Sequence, residues 1–499
     1  MATKKNILTN TVFGSRIAED EADNLHSYFV ETEDWRKVLA GEVDIIFGAK
    51  GAGKSALYSL LVAKKGALRL VDRTLVLAAE NPRGTPAFRD LTTEPTLSED
   101  KFRSLWKLYF LAIAADYLRH HLTTTKTSDP TAFSLFELLS SNGLLARNVN
   151  LITRLKAAYE YLQKYLPSFE GSYTDPSSGV NVMGRITLAE PSTEQRGFGF
   201  RSLDELLQNL NNCLQKHTIT CWLALDRLDV AFADSHEFEA NALRALFRAY
   251  LDMLGLTQIK IKIFLRDDIW KRIVGTGFRE ASHITRTLTL NWDQQSLQNL
   301  VVRRLASNVH LCDHYDVIEE DVLANAASQE VLFNRIFPKQ IDVGPSKPTT
   351  IGWMLSRTAD GSKRTAPREL IHLLLEIRDE QLKRYQIGND EPEDNLFFDR
   401  IAIRAALPAV SKARFEQTLC AEYPALKPFL SQLEGEKTQH SIDSLTKLWK
   451  KINHTKPAEI AEKLVDAGFF EKRGSKEFPK YWVPFIYRDA LSMVQGASE

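Results

Sequence analysis

The segment GEVDIIFGAKGAGKSALYSLLVAKK, residues 41–65, constrains the fold more tightly than any other part of this 499-residue chain. Val43 to Phe47 is a short, largely apolar run of strand length, and Leu57, Leu60, Leu61 and Val62 give the following stretch an apolar helical face. Between them lies Gly48-Ala49-Lys50-Gly51-Ala52-Gly53-Lys54-Ser55, which fits GxxxxGK[ST]. The spacing has a mechanism. Glycines let the backbone N–H groups of the loop, from Gly48 through Lys50, Gly51, Ala52 and Gly53, curl around a phosphate without Cβ interference. Lys54 then reaches the β- and γ-phosphates, Ser55 can ligate Mg²⁺, and the helix N-terminus adds positive potential. A chance glycine turn is the plain rival, but it would not fall between a strand and a helix start. The expected ligands are ATP and Mg²⁺.

Such a loop calls for an acid at the end of another buried strand, where it holds Mg²⁺ through water. Trp222-Leu223-Ala224-Leu225-Asp226 supplies one, so Ser55 and Asp226 are the expected metal residues. Apolar strings ending in Asp are common, and this one gains weight from the loop upstream and the strands around it. Many hydrolytic relatives of the motif carry a second acid at the next position to orient the attacking water. Here that position is Arg227, and the next acid is Asp229, a displaced candidate, so hydrolysis is expected to be slow.

Four arginines need weighing. KIKIFLRDD ends in Arg266, which falls where a polar residue senses a γ-phosphate; the plain alternative is an arginine paired with Asp267 or Asp268. Pro367-Arg368-Glu369-Leu370 opens a helix with proline in its first turn; an arginine there could swing a helical lid onto the phosphates, but a lone Pro-Arg dipeptide is a weak signal, and the role of Arg368 rests on the resemblance given below. Arg279 and Arg286 read as ordinary solvated arginines, with a finger into a neighbouring subunit as the rival. The expected catalytic set is Lys54, Asp226, Asp229, Arg266 and Arg368.

Strand candidates at Arg73–Ala79, HTITCWLALD, IKIKIFLRDD and Arg286–Leu290 alternate with helical stretches, which implies a parallel sheet covered by helices. Residues 100–165 read as a helical insertion, 166–200 as a long or hairpin-bearing loop, and Ser202 with Glu205 as the start of a helix. The expected division is a helical segment at 1–40, a P-loop core at 41–292 with its insertion at about 100–200, a helical lid at 293–392, and a helical and winged-helix region at 393–499.

Composition bounds the function. With 64 Lys+Arg against 64 Asp+Glu, the chain has no global attraction for nucleic acid or membrane, so such binding must come from a local patch. Cys213, Cys221, Cys312 and Cys420 show no CxxC spacing, and no stretch approaches the roughly 18 to 20 apolar residues of a membrane helix. A cytoplasmic protein without membrane partners is expected. In 444–488, LTKLWKKI, PAEIAEKLVDAG and GFFEKRGSKEFPKYWVPFIY read as helix, helix and two-stranded wing, with ten Lys and Arg against five Asp and Glu. Glu459, Glu462 and Asp466 on the second helix would repel phosphates, and the basic residues Lys472, Arg473, Lys476 and Lys480 gather in the wing. That allows nonspecific backbone contacts, with packing within the chain or an oligomer as the favoured role.

Phe13-Gly14, Ala18-Glu19, Tyr28-Phe29, Gly48 to Ser55, Asp226-Arg227-Leu228-Asp229, Phe264-Leu265-Arg266, Leu290 to Trp292 and Pro367-Arg368 together resemble the AAA+/STAND-like branch of P-loop ATPases. More closely, they resemble a poorly characterised bacterial family suspected of roles in phage defence and mobile-element biology. The resemblance spans nearly the whole chain and implies an ATP-binding core, a helical lid and a C-terminal winged helix. The first functional expectation is a slow ATP-dependent switch controlling homo-oligomer assembly or a partner effector. The second is a DNA-engaging ATPase of the origin-recognition or helicase-loader kind. A third, an effector enzyme seated in residues 85–200, finds no nuclease, protease or deaminase constellation there.

Overall fold

The computed structural model describes residues 3–21, 25–62, 74–79, 98–146, 150–165, 186–187, 190–197, 200–228, 236–388, 391–393, 395–450, 452 and 456–498. The chain divides into two compact units. The sheet unit comprises Glu33–Ala49 and Lys54–Leu290; the C-terminal unit comprises Met1–Thr32, Lys50–Gly53 and Asn291–Glu499.

The sheet unit is built on strands β1 (Ile45–Gly48), β2 (Thr74–Ala78), β3 (Thr220–Leu225), β4 (Ile259–Arg266) and β5 (Thr287–Thr289). They lie in the order β2-β3-β4-β1-β5, every neighbouring pair parallel. Parallel strands are covered on both faces and so need continuous apolar runs. IIFG in β1 is buried throughout, and CWLAL in β3 likewise. The covering helices are α1 (Lys54–Val62), α2 (Glu99–Thr124), α3 (Leu203–Lys216), α4 (His236–Met253) and α5 (Asp267–Gly275). Ser202 opens α3 by accepting from Glu205 N at 3.2 Å, as its sequence position implied.

The helical insertion is present: α2 is followed by helices Pro130–Ser141 and Leu151–Tyr165. Asp129, fully buried, caps the first of these and is held by His217 at 2.9 Å. Farther on, Ile186–Thr187 pairs with Arg201–Ser202 in parallel, so this pair is no hairpin; a helix, Thr193–Gly197, lies between the two strands. Within β4 the lysines do not alternate out to solvent. Lys262 is only 1% exposed, because Asp44, just before β1, holds its ammonium at 2.8 Å.

The C-terminal unit is helical through α6 (Gln294–Ala306) and α7 (Pro367–Gln386), then forms a winged helix. This consists of β6 (Lys437–Ser441), α8 (Ile442–Trp449), α9 (Pro457–Asp466), β7 (Glu471–Gly474), β8 (Pro479–Trp482) and β9 (Val494–Ala497), in sheet order β9-β6-β8-β7. The wing β7–β8 is antiparallel, as its sequence implied; β6 and β9 join it from outside that segment's core pattern. The N-terminal helical segment is broken into Lys4–Asn10, Ala18–Glu21, Leu25–Tyr28 and Glu33–Leu39. Its anchor is Glu21, which pairs bidentately with Arg304 of α6 at 2.6 and 3.0 Å, both side chains buried.

Candidate nucleotide site

In the sheet unit, β1 delivers Gly48 and Ala49 and α1 begins at Lys54. Lys54 is buried and its Nζ donates to the carbonyls of Gly48 at 2.8 Å and Ala49 at 3.0 Å. Ser55 follows in the first turn of α1, half-buried. Asp226 directly follows β3 and is 3% exposed. Because β4 lies between β1 and β3, the strand carrying Asp226 is not hydrogen-bonded to the strand carrying the loop. Arg227 has φ +60°, a left-handed conformation that costs a non-glycine residue about 1 kcal/mol or more and recurs at functional sites. Asp229 lies outside the described residues.

Arg266 closes β4 and makes the pairing given as its plain alternative. Its guanidinium grips Asp268 with two bonds, Nε to Oδ1 at 3.0 Å and Nη2 to Oδ2 at 2.8 Å. Burial works against the Asp268 charge, but Arg266 holds that carboxyl below the usual carboxylate range. Arg286 bonds Asp44 at 2.6 Å, at the end of β1 away from Gly48, and thus serves a buried carboxylate. The finger reading gains no support from that position.

The tip of the loop counts with the C-terminal unit. Gly51 and Gly53 have φ of +81° and +96°, a backbone open to glycine at little cost. A Cβ on Gly51 would stand 3.1 Å from Cβ of Arg368, 3.3 Å from Cβ of Ala366 and 3.4 Å from Oε2 of Glu369. The first turn of α7 therefore packs on the loop tip, and a side chain at Gly51 would be both crowded and strained in its backbone. Arg368 itself is half-buried and makes no hydrogen bond or ion pair among the described residues. Ala52 accepts from Trp292 Nε1 at 2.9 Å, and Lys50 is ion-paired with Glu422.

A further layer was invisible in the sequence. Glu369 binds Arg414 at 2.8 Å, and Arg414 also reaches Tyr487 at 3.3 Å and Asp360 at 3.5 Å. Burial opposes the Arg414 charge, yet Tyr487, Glu369 and Asp360 keep it protonated well beyond its ordinary range. Arg414 opens a π-helical turn, Arg414–Cys420, a rare geometry that recurs at functional sites and here leads to Glu422. Arg414 and Glu422 had no sequence signal, being hundreds of residues from the loop; Trp292 and Glu369 stood beside residues already singled out.

The arrangement suits a nucleotide with Mg²⁺. Gly51 and Gly53 leave the loop backbone without Cβ atoms, Lys54 has its ammonium on the loop carbonyls, and Asp226 offers a buried carboxylate at a strand end. Ser55 and Asp226 would hold the ion, which would supply positive charge to the phosphates. All four cysteines are buried and free, and among the described residues no helix is long and apolar enough to cross a membrane.

Fold and loop define a P-loop NTPase-type α/β unit with a helical insertion, joined to a helical and winged-helix unit. No protein-family model matches the chain, and no curated protein matches it. Among solved structures, the Aeropyrum pernix ORC1 protein in complex with DNA is similar with a TM-score of 0.36 and 10% identity, over 99% of this chain and 98% of that one. The Aeropyrum pernix ORC2 protein in ADPNP-ADP complexes is similar with a TM-score of 0.38 and 11% identity, over 91% and 89%. At those values neither likeness carries an argument about function.

Proposed function

We propose that this chain binds Mg-ATP at Gly48–Ser55 and Asp226 and acts in the cytoplasm as a slow ATP-hydrolysing switch that controls its own assembly or a partner effector. The observation that carries this reading is the approach of Arg368 to Gly51: an arginine that makes no hydrogen bond or ion pair among the described residues stands against the turn that would cradle the phosphates. A γ-phosphate within its reach gives ATP and ADP different affinities for two states of the C-terminal unit. Only such a difference shifts a population. Arg227 in place of a second acid supports slow turnover, on the order of 1 per second or less against an enzyme median of about 10. The defence setting rests on the sequence resemblance alone.

The test is calorimetry on the full chain. Lys54→Ala removes most ATP binding, and Arg368→Ala weakens ATP more than ADP. Unchanged ATP affinity in the first variant sinks the site; equal losses for both nucleotides in the second sink the switch.

A second reading, DNA engagement through the wing, is favoured by one observation. Lys476 and Lys480 make no ion pair among the described residues and flank Phe478, which is 76% exposed. Lys472 is held by Glu462 and Arg473 by Glu471, which leaves two wing cations for phosphates. Binding would then be nonspecific, with a log–log salt slope of about −2. Salt-sensitive duplex binding that is lost on charge reversal of Lys476 and Lys480 would promote this reading over the switch.

A further inference from the structure

Three helices of the C-terminal unit, Val309–Tyr315, Glu319–Leu323 and Ala326–Ile336, enclose a groove of about 690 Å³. Its floor is apolar, with Val322 and Leu332 buried there. On its lip Ile318 and Val331 are 62% and 60% exposed, an unusual setting for two neighbouring β-branched residues. The rim is acidic: Asp313, Asp316 and Asp321 are exposed and make no ion pair among the described residues. The basic residue in the lining, Arg335, is turned to the Tyr315 carbonyl at 2.7 Å and stacked over the Tyr315 ring. The groove thus combines an apolar slot with uncompensated negative charge.

The same chain carries the complementary surface. At the tip of the β7–β8 wing, Phe478 projects between Lys476 and Lys480, with Glu477 the acid within that stretch. Phe478 N is fixed to Ser475 Oγ at 3.1 Å, and Gly474, at φ +84°, turns the strand into the tip. The ring is therefore presented by an ordered turn. Phe478 does not occupy the groove of its own chain.

We infer that the wing of one copy docks into the acidic groove of a second copy, with Phe478 in the slot and Lys476 and Lys480 against Asp313, Asp316 and Asp321. Wing and groove are different surfaces, so the contact is head-to-tail and yields a ring or a filament according to whether the rotation closes. An aromatic anchor in an apolar pocket with charges at the rim is the usual distribution of energy in an interface. The charges set orientation and salt sensitivity, and the ring supplies most of the affinity.

The experiment is sedimentation velocity on the full chain without nucleotide, from about 1 to 100 μM, at low and high salt. The parent associates with increasing concentration, and less at high salt. Phe478→Ala weakens association at least tenfold, and so do Lys476→Glu with Lys480→Glu on the wing and Asp313→Lys with Asp321→Lys on the groove. All five positions are exposed, so folding is not at stake. Mixing the charge-reversed wing variant with the charge-reversed groove variant restores complex formation, because their reversed surfaces match. A monomeric parent over that range, association indifferent to both sets of variants, or failure of the reversed pair to recover overturns the inference. Wing variants that lose binding to a duplex while the parent stays monomeric overturn it in favour of nucleic acid as the wing's partner.

Discussion

Each unit buries an ionic cluster, and the two are mirror images. In the sheet unit one acid serves several donors: Asp44 takes Lys262 at 2.8 Å, Arg286 at 2.6 Å and the Tyr250 hydroxyl at 3.1 Å. In the C-terminal unit one base serves several acceptors: Arg414 holds Glu369, Asp360 and the Tyr487 hydroxyl. Burial pushes the Lys262 ammonium below its ordinary value despite Asp44, whereas Arg414 is driven above its own. Their positions differ more than their chemistry. Asp44 lies four residues before Gly48, about 13 Å along an extended strand. Glu369 has its second oxygen buried, without a hydrogen-bond partner among the described residues, against the loop tip at Gly51. The first cluster fixes the sheet; the second sets the residues next to the candidate site.

Removing the centre of each cluster gives the largest expected effects. Asp44→Asn and Arg414→Met should each cost about 3 to 5 kcal/mol, since each leaves buried charges without their partner. Urea denaturation monitored by circular dichroism checks this. The contrast lies in nucleotide affinity, which Arg414→Met should shift by about threefold or more through Glu369, while Asp44→Asn leaves it within about twofold. Equal shifts in both would erase the distinction between the clusters.

Peripheral members should matter less. Lys262→Met leaves Asp44 with Arg286 and Tyr250, so about 1 to 2 kcal/mol is expected, and a loss as large as that of Asp44→Asn would mean that Lys262 is the true centre. Glu369→Gln keeps the shape and one bond to Arg414; its stability cost should stay near 1 kcal/mol, with its effect read instead as a changed ratio of ATP to ADP affinity.

The smallest effect concerns pH. Asp268 titrates below the usual value of about 3.9 because of Arg266, so on acidification the unfolded chain takes up that proton first. Its contribution is complete above about pH 4 and is lost as the pH falls through the folded value. Asp268→Asn should flatten the acid limb of stability and, by loosening Arg266, alter nucleotide affinity. An unchanged acid limb would show that the pair adds nothing to folding.

The sequence by itself determined the phosphate loop, the strands that became β1 to β5, the helical insertion and the wing. These are local matters: glycine placement, apolar periodicity and capping act over a few residues. Even the Arg266–Asp268 pair was visible as an alternative, because the two stand two residues apart. Other features needed the folded chain. Lys262 is buried because Asp44, just before the neighbouring strand β1, meets its ammonium. Arg227 has its left-handed backbone, Lys50 its Glu422, and Arg368 its place on Gly51 only when distant segments pack. Burial of a charge and closeness of approach depend on residues brought together from far along the chain, and no local pattern encodes which ones meet.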